Sequence, residues 1–387
     1  MTITTLLLYL IFQFLLCVYV SQKVETESDY LVGGRNFTTT IVSVSLFATW
    51  FGAETCIGSS GAVYAQGLSG SRADPLGYSM CLLLSGLLIA PKLWNQRYMT
   101  LSDFYKERFG STVEQVAVWI LSLSSLIWAA AQLRAFGQVI SATTDLNIQV
   151  TLFLGFAFVV GYTLLGGLMG DMVTDLVQGI VMALGLIMIL VAILWNTPDL
   201  GHIIKSIPAE RLHVLGDGES LWACINRWAI PVFGSLVAQE IVARILSSKT
   251  SRIAVRSCYI SAGIYLFLGS IPVFLGLIGP TLLPNVESSE HFLIELSQTH
   301  LSPILVGIFS GALISALLAT IDSILLSVGA LVSHNFLIPR FNIRTEAAKV
   351  KTSRIVVFAA GLVAYLLAIR SSGILELLEI ASSFGTA

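Results

Sequence analysis

Charge is what this sequence has least of. Only 11% of its 387 residues are Asp, Glu, Lys or Arg, where an ordinary soluble domain carries about 25%. A net charge of −2 leaves no basic face for nucleic acid. Cysteine is sparse too: Cys17, Cys56, Cys81, Cys224 and Cys258 are odd in number and scattered, with no C-x-x-C pair and no His at ligand spacing. They carry no sign of a disulfide framework or a zinc site. His202, His213, His291, His300 and His334 all lie in or near loops, and no His- or Ser-based catalytic set is visible, which argues against an enzyme.

What the chain has instead is apolar length. Hydrophobic residues make up 55% of it, and runs of about 18 or more mark membrane spans. They fall at 2–20, 40–65, 75–93, 113–143, 148–168, 174–195, 222–247, 256–278, 302–336 and 352–370, with 373–387 beginning an eleventh. The first run has no basic residue ahead of it and no small-residue cleavage site, so it reads as a retained span. Of the 21 Lys and Arg, fifteen fall in loops on one side, five on the other, and Arg134 inside a span. The positive-inside rule then predicts a multi-pass cell-membrane protein with its N-terminus outside.

Two spans are interrupted. In 47–64, Gly52, Gly58 and Gly61 stand among Thr55, Ser59 and Ser60, with Glu54 at about mid-depth; in 222–247, Pro231 and Gly234 do the same. Irregular backbone at membrane depth persists only where protein or a wet cavity covers it, and an intramembrane carboxylate is a functional candidate by default. Interrupted segments at corresponding places in two halves point to a transporter's midplane site. Setting 1–22 aside as an extra helix, the halves are 40–195 and 222–387, within one transmembrane domain. Five spans per half is odd, so the repeats are inverted. No G-x-x-x-x-G-K-[ST] phosphate loop occurs, which favours an ion gradient over ATP as the energy source.

Several stretches are similar to motifs of one known family. Ser28-Asp29-Tyr30-Leu31-Val32-Gly33-Gly34-Arg35 is similar to its D-Y-[FL]-x-[AG]-G-R loop. Gly166-Gly167 followed by Thr174-Asp175-Leu176-Val177-Gln178 resembles its G-G…T-D-x-x-Q signature. Thr100-Leu101-Ser102-Asp103-Phe104 with Arg108-Phe109-Gly110, Arg244-Ile245-Leu246-Ser247-Ser248-Lys249, and Thr320-Ile321-Asp322-Ser323 match further motifs in order. Together they resemble the sodium:solute symporter family, and that resemblance implies an all-α, LeuT-type five-plus-five inverted repeat with one extra N-terminal helix, from which this sequence departs in an incomplete last core helix. It implies inward sodium movement coupled to uptake of a small organic solute.

Candidate residues follow. Ala316, Ala319, Thr320 and Ser323 share one helix face, and a hard cation wants several oxygens. By resemblance, carbonyls of Ala48, Phe51 and Ala316 and side chains at 319 and 320 bind sodium, but 319 is Ala where the family has Ser. Asp322 either compensates or carries a proton in place of sodium, with Ser323 beside it; Asp175 lies on the ion's exit path or simply starts its helix. Asp171 has no account. For the solute, Glu54, Thr55, Phe233 and Gln239 are candidates by position, and Arg134 either grips a carboxylate, pairs with Glu54 or snorkels outward. Beyond solute, sodium and lipid no partner is expected. The competing expectation is a sensor or incomplete fragment with the fold but no flux.

Overall fold

The computed structural model describes residues 2–71, 74–144, 146–197, 199–216, 218–286 and 288–371, with positions 374, 377 and 381. These residues are helical apart from turns and one bridge between Phe37 and Ser248. The expected last span at 373–387 falls almost wholly outside them. The elements used below are α1 (Thr2–Ser21), α2 (Glu27–Val32), α3 (Thr39–Trp50), α4 (Glu54–Gly70), α5 (Leu76–Gln96), α6 (Leu101–Phe109), α7 (Ser111–Thr144), α8 (Ile148–Asn196), α9 (Leu221–Ser247), α10 (Ser251–Leu282), α11 (Pro303–Arg340) and α12 (Glu346–Arg370).

Helix starts are set by short polar caps. Thr26 with Asp29 closes a capping box on α2, and Thr100 with Asp103 closes one on α6. Asn147, Thr250 and Thr345 cap α8, α10 and α12, and Pro303 opens α11 where no amide donor is needed. Asp103 also accepts from the Met99 N–H and the Asn335 side chain. Burial disfavours its charge, but His334 and the backbone amides outweigh burial and hold the carboxyl below its ordinary value.

The runs at 148–168 and 174–195 fall on two helical arms that meet at Gly167 with no loop between them, together written α8. Straight, it would reach about 73 Å, more than twice a bilayer core. It turns at Gly167, whose φ of 54° lies in the left-handed region and whose added Cβ would sit 2.6 Å from the Tyr30 carbonyl oxygen. Only Gly serves there. Seven helices are long and apolar enough to span by themselves among the described residues, and α3–α4 make an eighth as a pair bent by 55°.

The first helix, α1, exposes Leu7, Leu8, Ile11, Phe12, Leu15 and Tyr19 along one stripe, as a lipid-facing helix does. Its other face binds the bundle: the Tyr9 hydroxyl meets Ser315 at 2.6 Å, and the Cys17 thiol donates to the Tyr162 carbonyl. At the centre runs α11, buried continuously from Phe309 to Leu331. Of the residues proposed for binding, Thr320, Asp322 and Ser323 lie on its middle, against Thr49 of α3 and Tyr162 of α8.

Candidate ion and solute site

The break between α3 and α4 frees backbone groups at Thr49, Trp50 and Ala53, and side chains from three helices take them. The Ala53 N–H donates to Gln132 Oε1 of α7 (2.7 Å), Thr320 Oγ1 of α11 donates to the Thr49 carbonyl (2.9 Å), and the Tyr265 hydroxyl of α10 reaches the Trp50 carbonyl (3.4 Å). Thr320 also reaches the Ala316 carbonyl at 3.1 Å. Position 52 must be Gly, since an added Cβ would fall 2.6 Å from Gln132 Oε1 and 2.8 Å from Thr320 Oγ1. The broken helix is thus a fitted joint. Its oxygens are uncharged, fixed and crowded, a donor set suited to a hard monovalent cation.

On the α3 side of the joint lies a charge cluster. The Arg244 guanidinium of α9 bonds Asp171 (2.7 Å) and Asp175 (2.9 Å) of α8, Ser45 of α3 (2.8 Å), and Ser323. Asp322 of α11 accepts from the Tyr162 hydroxyl and from the Ser323 N–H (2.8 Å). Carboxylate oxygens of Asp171, Asp175 and Asp322 lie within 4.8 Å of one another, and all three residues are buried. Arg244, counted with the loop cations above, is 0% exposed. Its long stem carries the charge from the last turn of α9 into the interior. Asp171 is thereby explained: it is the first partner of that charge.

On the α4 side lies a second cluster, with no arginine among the described residues that bond it. Glu54 accepts from the Tyr78 hydroxyl of α5 (2.7 Å), and Asp74 accepts from Tyr265 (2.5 Å) and from Thr55 (3.0 Å). Trp50 packs edge-on against Tyr78 and Trp128, with ring centroids 5.1 and 5.6 Å apart. Beside these rings is a cavity lined by Thr49, Trp50, Trp128, Glu240, Thr320 and Ile324; its free space of about 10 Å³ holds about one water. Aromatic faces with carboxylates nearby attract a positively charged nitrogen.

Thr320 and Ala316 meet Thr49 at the joint, while Ala48, Phe51 and Ala319 are fully buried around it. The Ala319 carbonyl accepts from Ser323. Asp175, Asp322 and Ser323 come together in the Arg244 cluster. Glu54 and Thr55 face the second cluster. Arg134 is not brought to Glu54; it reaches the Ala368 carbonyl near the end of α12 at 3.4 Å. Phe233 is 61% exposed on the π-helical turn after Pro231, and Gln239 caps α6 by accepting from the Leu101 N–H (2.8 Å). Gln132, Trp128, Tyr78, Asp74 and Tyr265 carry much of the site yet show no motif; Gln132 and Trp128 are one turn apart on α7, the signal that most nearly marks them.

The family model for the sodium:solute symporter family matches residues 30–387. The chain is 25% identical to the high-affinity choline transporter 1 of Drosophila melanogaster over 89% of its length, and 26% identical to the human one over 87%; it covers 58% and 61% of those proteins. The chain therefore spans about three fifths of the choline transporters it matches. It is 26% identical to the osmoregulated proline transporter OpuE of Bacillus subtilis, with 100% of this chain and 81% of that one aligned. Among solved structures it is similar to a substrate-bound, outward-open Na+-coupled sialic acid symporter, with a TM-score of 0.82 at 19% identity, covering 100% of this chain and 86% of that chain. Mhp1, a nucleobase-cation-symport-1 family transporter, follows with a TM-score of 0.64 at 16% identity, covering 92% and 77%. These likenesses make the fold LeuT-type.

Proposed function

Because this chain belongs to the sodium:solute symporter family, we propose that it carries a small organic solute inward across the cell membrane together with sodium. The observation that carries this is the joint between α3 and α4, where Thr320 Oγ1 is held between the Thr49 and Ala316 carbonyls. Sodium is bound there by Thr320 and by carbonyls of Ala48, Phe51 and Ala316, with the carbonyl of Ala319 held by Ser323 instead. Asp175, Asp322 and Ser323 lie next along the ion's route. In this reading the two broken helices head the two repeats, and the asymmetry of the loop cations supports an N-terminus outside.

The solute bears a positively charged nitrogen. Choline and proline, the solutes named for relatives, both have one, and it suits the rings of Trp50, Trp128 and Tyr78 with Glu54 and Glu240 nearby. Arg134, turned toward α12, has no part in that binding.

The test is uptake of choline and of proline into proteoliposomes under an inward sodium gradient, with potassium as control. Sodium-stimulated uptake is expected, and Thr320→Ala should weaken the sodium dependence about tenfold. Unchanged sodium activation in that variant removes the ion site. Flux driven by pH alone and lost in Asp322→Asn moves the coupling to protons, and binding without flux moves the protein to a sensor.

A further inference from the structure

Three buried N–H donors around the joint have no acceptor among the described residues: Gln132 Nε2, Trp50 Nε1 and Trp128 Nε1. Gln132 is 0% and Trp50 4% exposed. Nearly every buried donor in a folded protein is paired, so three orphans at one place need an explanation. They are neighbours: the two indoles touch edge to face and line the same cavity, Trp128 and Gln132 are one turn apart on α7, and the Gln132 amide is pressed against Gly52. Its orientation is fixed, because Oε1 is already used by the Ala53 N–H, leaving Nε2 free to donate. Glu240 lines the same cavity, and its carboxylate accepts from the hydroxyls of Ser125, at 3.4 Å, and Ser327. Unpartnered donors and a carboxylate therefore meet at one cavity.

Resting on the symport reading, we infer that the solute is a small zwitterion of the amino-acid or betaine type. Gln132 Nε2–H and the two indole N–H groups hold its carboxylate, which offers about four acceptor sites, and Glu240 holds its ammonium. A purely cationic alcohol would leave most of those donors unpaired, and a simple anion would face Glu240. The cavity as it stands holds about one water, so the solute enters when the half-helices part, as alternating access requires.

The experiment uses the full chain in lipid nanodiscs at saturating sodium and measures binding of two pairs: glycine betaine against choline, and proline against prolinol. Each pair keeps its nitrogen and differs at the carboxylate. The carboxylate-bearing member should bind about tenfold tighter or better. Gln132→Glu keeps an oxygen for the Ala53 N–H, removes the donor and should erase that preference. Trp128→Phe, which keeps a ring without the N–H, should reduce it in a chain whose joint is intact. Equal binding within both pairs, or preference undiminished in both variants, overturns the inference. If sodium still stabilises the protein against heat but none of the four binds, the zwitterion is wrong and the sodium site survives. If sodium has no effect, the symport reading fails and takes the inference with it.

Discussion

On the α3 side of the joint two carboxylates bond one guanidinium with a third, that of Asp322, close by; on the α4 side two carboxylates rest on hydroxyl groups. Arg244 supplies a permanent charge to Asp171 and Asp175, whereas Glu54 and Asp74 are answered among the described residues by Tyr78, Tyr265 and Thr55. The difference separates two uses of buried charge. A guanidinium that bonds α3, α8 and α11 from α9 ties four helices together, and the cluster is part of the scaffold. Hydroxyls rotate and release at little cost, so the second cluster can turn its carboxyl oxygens to something that arrives.

The largest effect should come from removing the arginine. Arg244→Met leaves Asp171, Asp175 and Asp322 buried without a counter-charge, and breaking a buried pair by one partner costs about 3–5 kcal/mol. Thermal unfolding in detergent checks this, and Asp175→Asn in the same chain should recover part of the loss. A drop no larger than that of a surface pair, about 1 kcal/mol, would mean that the cluster is not what holds the four helices. On the other side, Asp74→Asn keeps an oxygen for Tyr265 and Thr55 while replacing the second carboxyl oxygen, which has no partner among the described residues, by an amide nitrogen. Stability should move by about 1 kcal/mol or less, whereas affinity for an ammonium-bearing solute should fall about tenfold. Equal destabilisation by the two substitutions would erase the contrast between the clusters.

Much of the fold was legible because the bilayer restricts what can cross it. Apolar run length located the spans, and Gly52 and Pro231 marked both interruptions. The division of α8 was legible as two runs with Gly166-Gly167 near the end of the first, but that the second arm starts with no loop between depends on Tyr30 packing against Gly167. The site was legible where a residue's chemistry was out of place in its own segment, as with Glu54 and Asp322. It was hidden where meaning came from elsewhere in the chain. Arg244 sits among loop cations in the sequence and acts 69 and 73 residues away, on Asp175 and Asp171. Asp74 reads as a residue between two spans, yet it is 2% exposed because α10 brings Tyr265 to it.

Arg134 gives the smallest expected effect and the sharpest check. A cation inside a span is costly enough to suggest function, and a guanidinium suits a carboxylate. Yet its neighbour in the fold is the Ala368 carbonyl, one of the carbonyls left unpaired at the end of a helix, where a positive charge is favoured by the helix dipole. Two residues earlier on α7, Gln132 points its amide at the joint. Arg134→Ala should therefore cost α12 about 0.3–1 kcal/mol and leave solute affinity within about twofold of wild type, measured by binding at saturating sodium. A tenfold loss of affinity with unchanged stability would place Arg134 in the solute's path and assign the carboxylate to it rather than to Gln132.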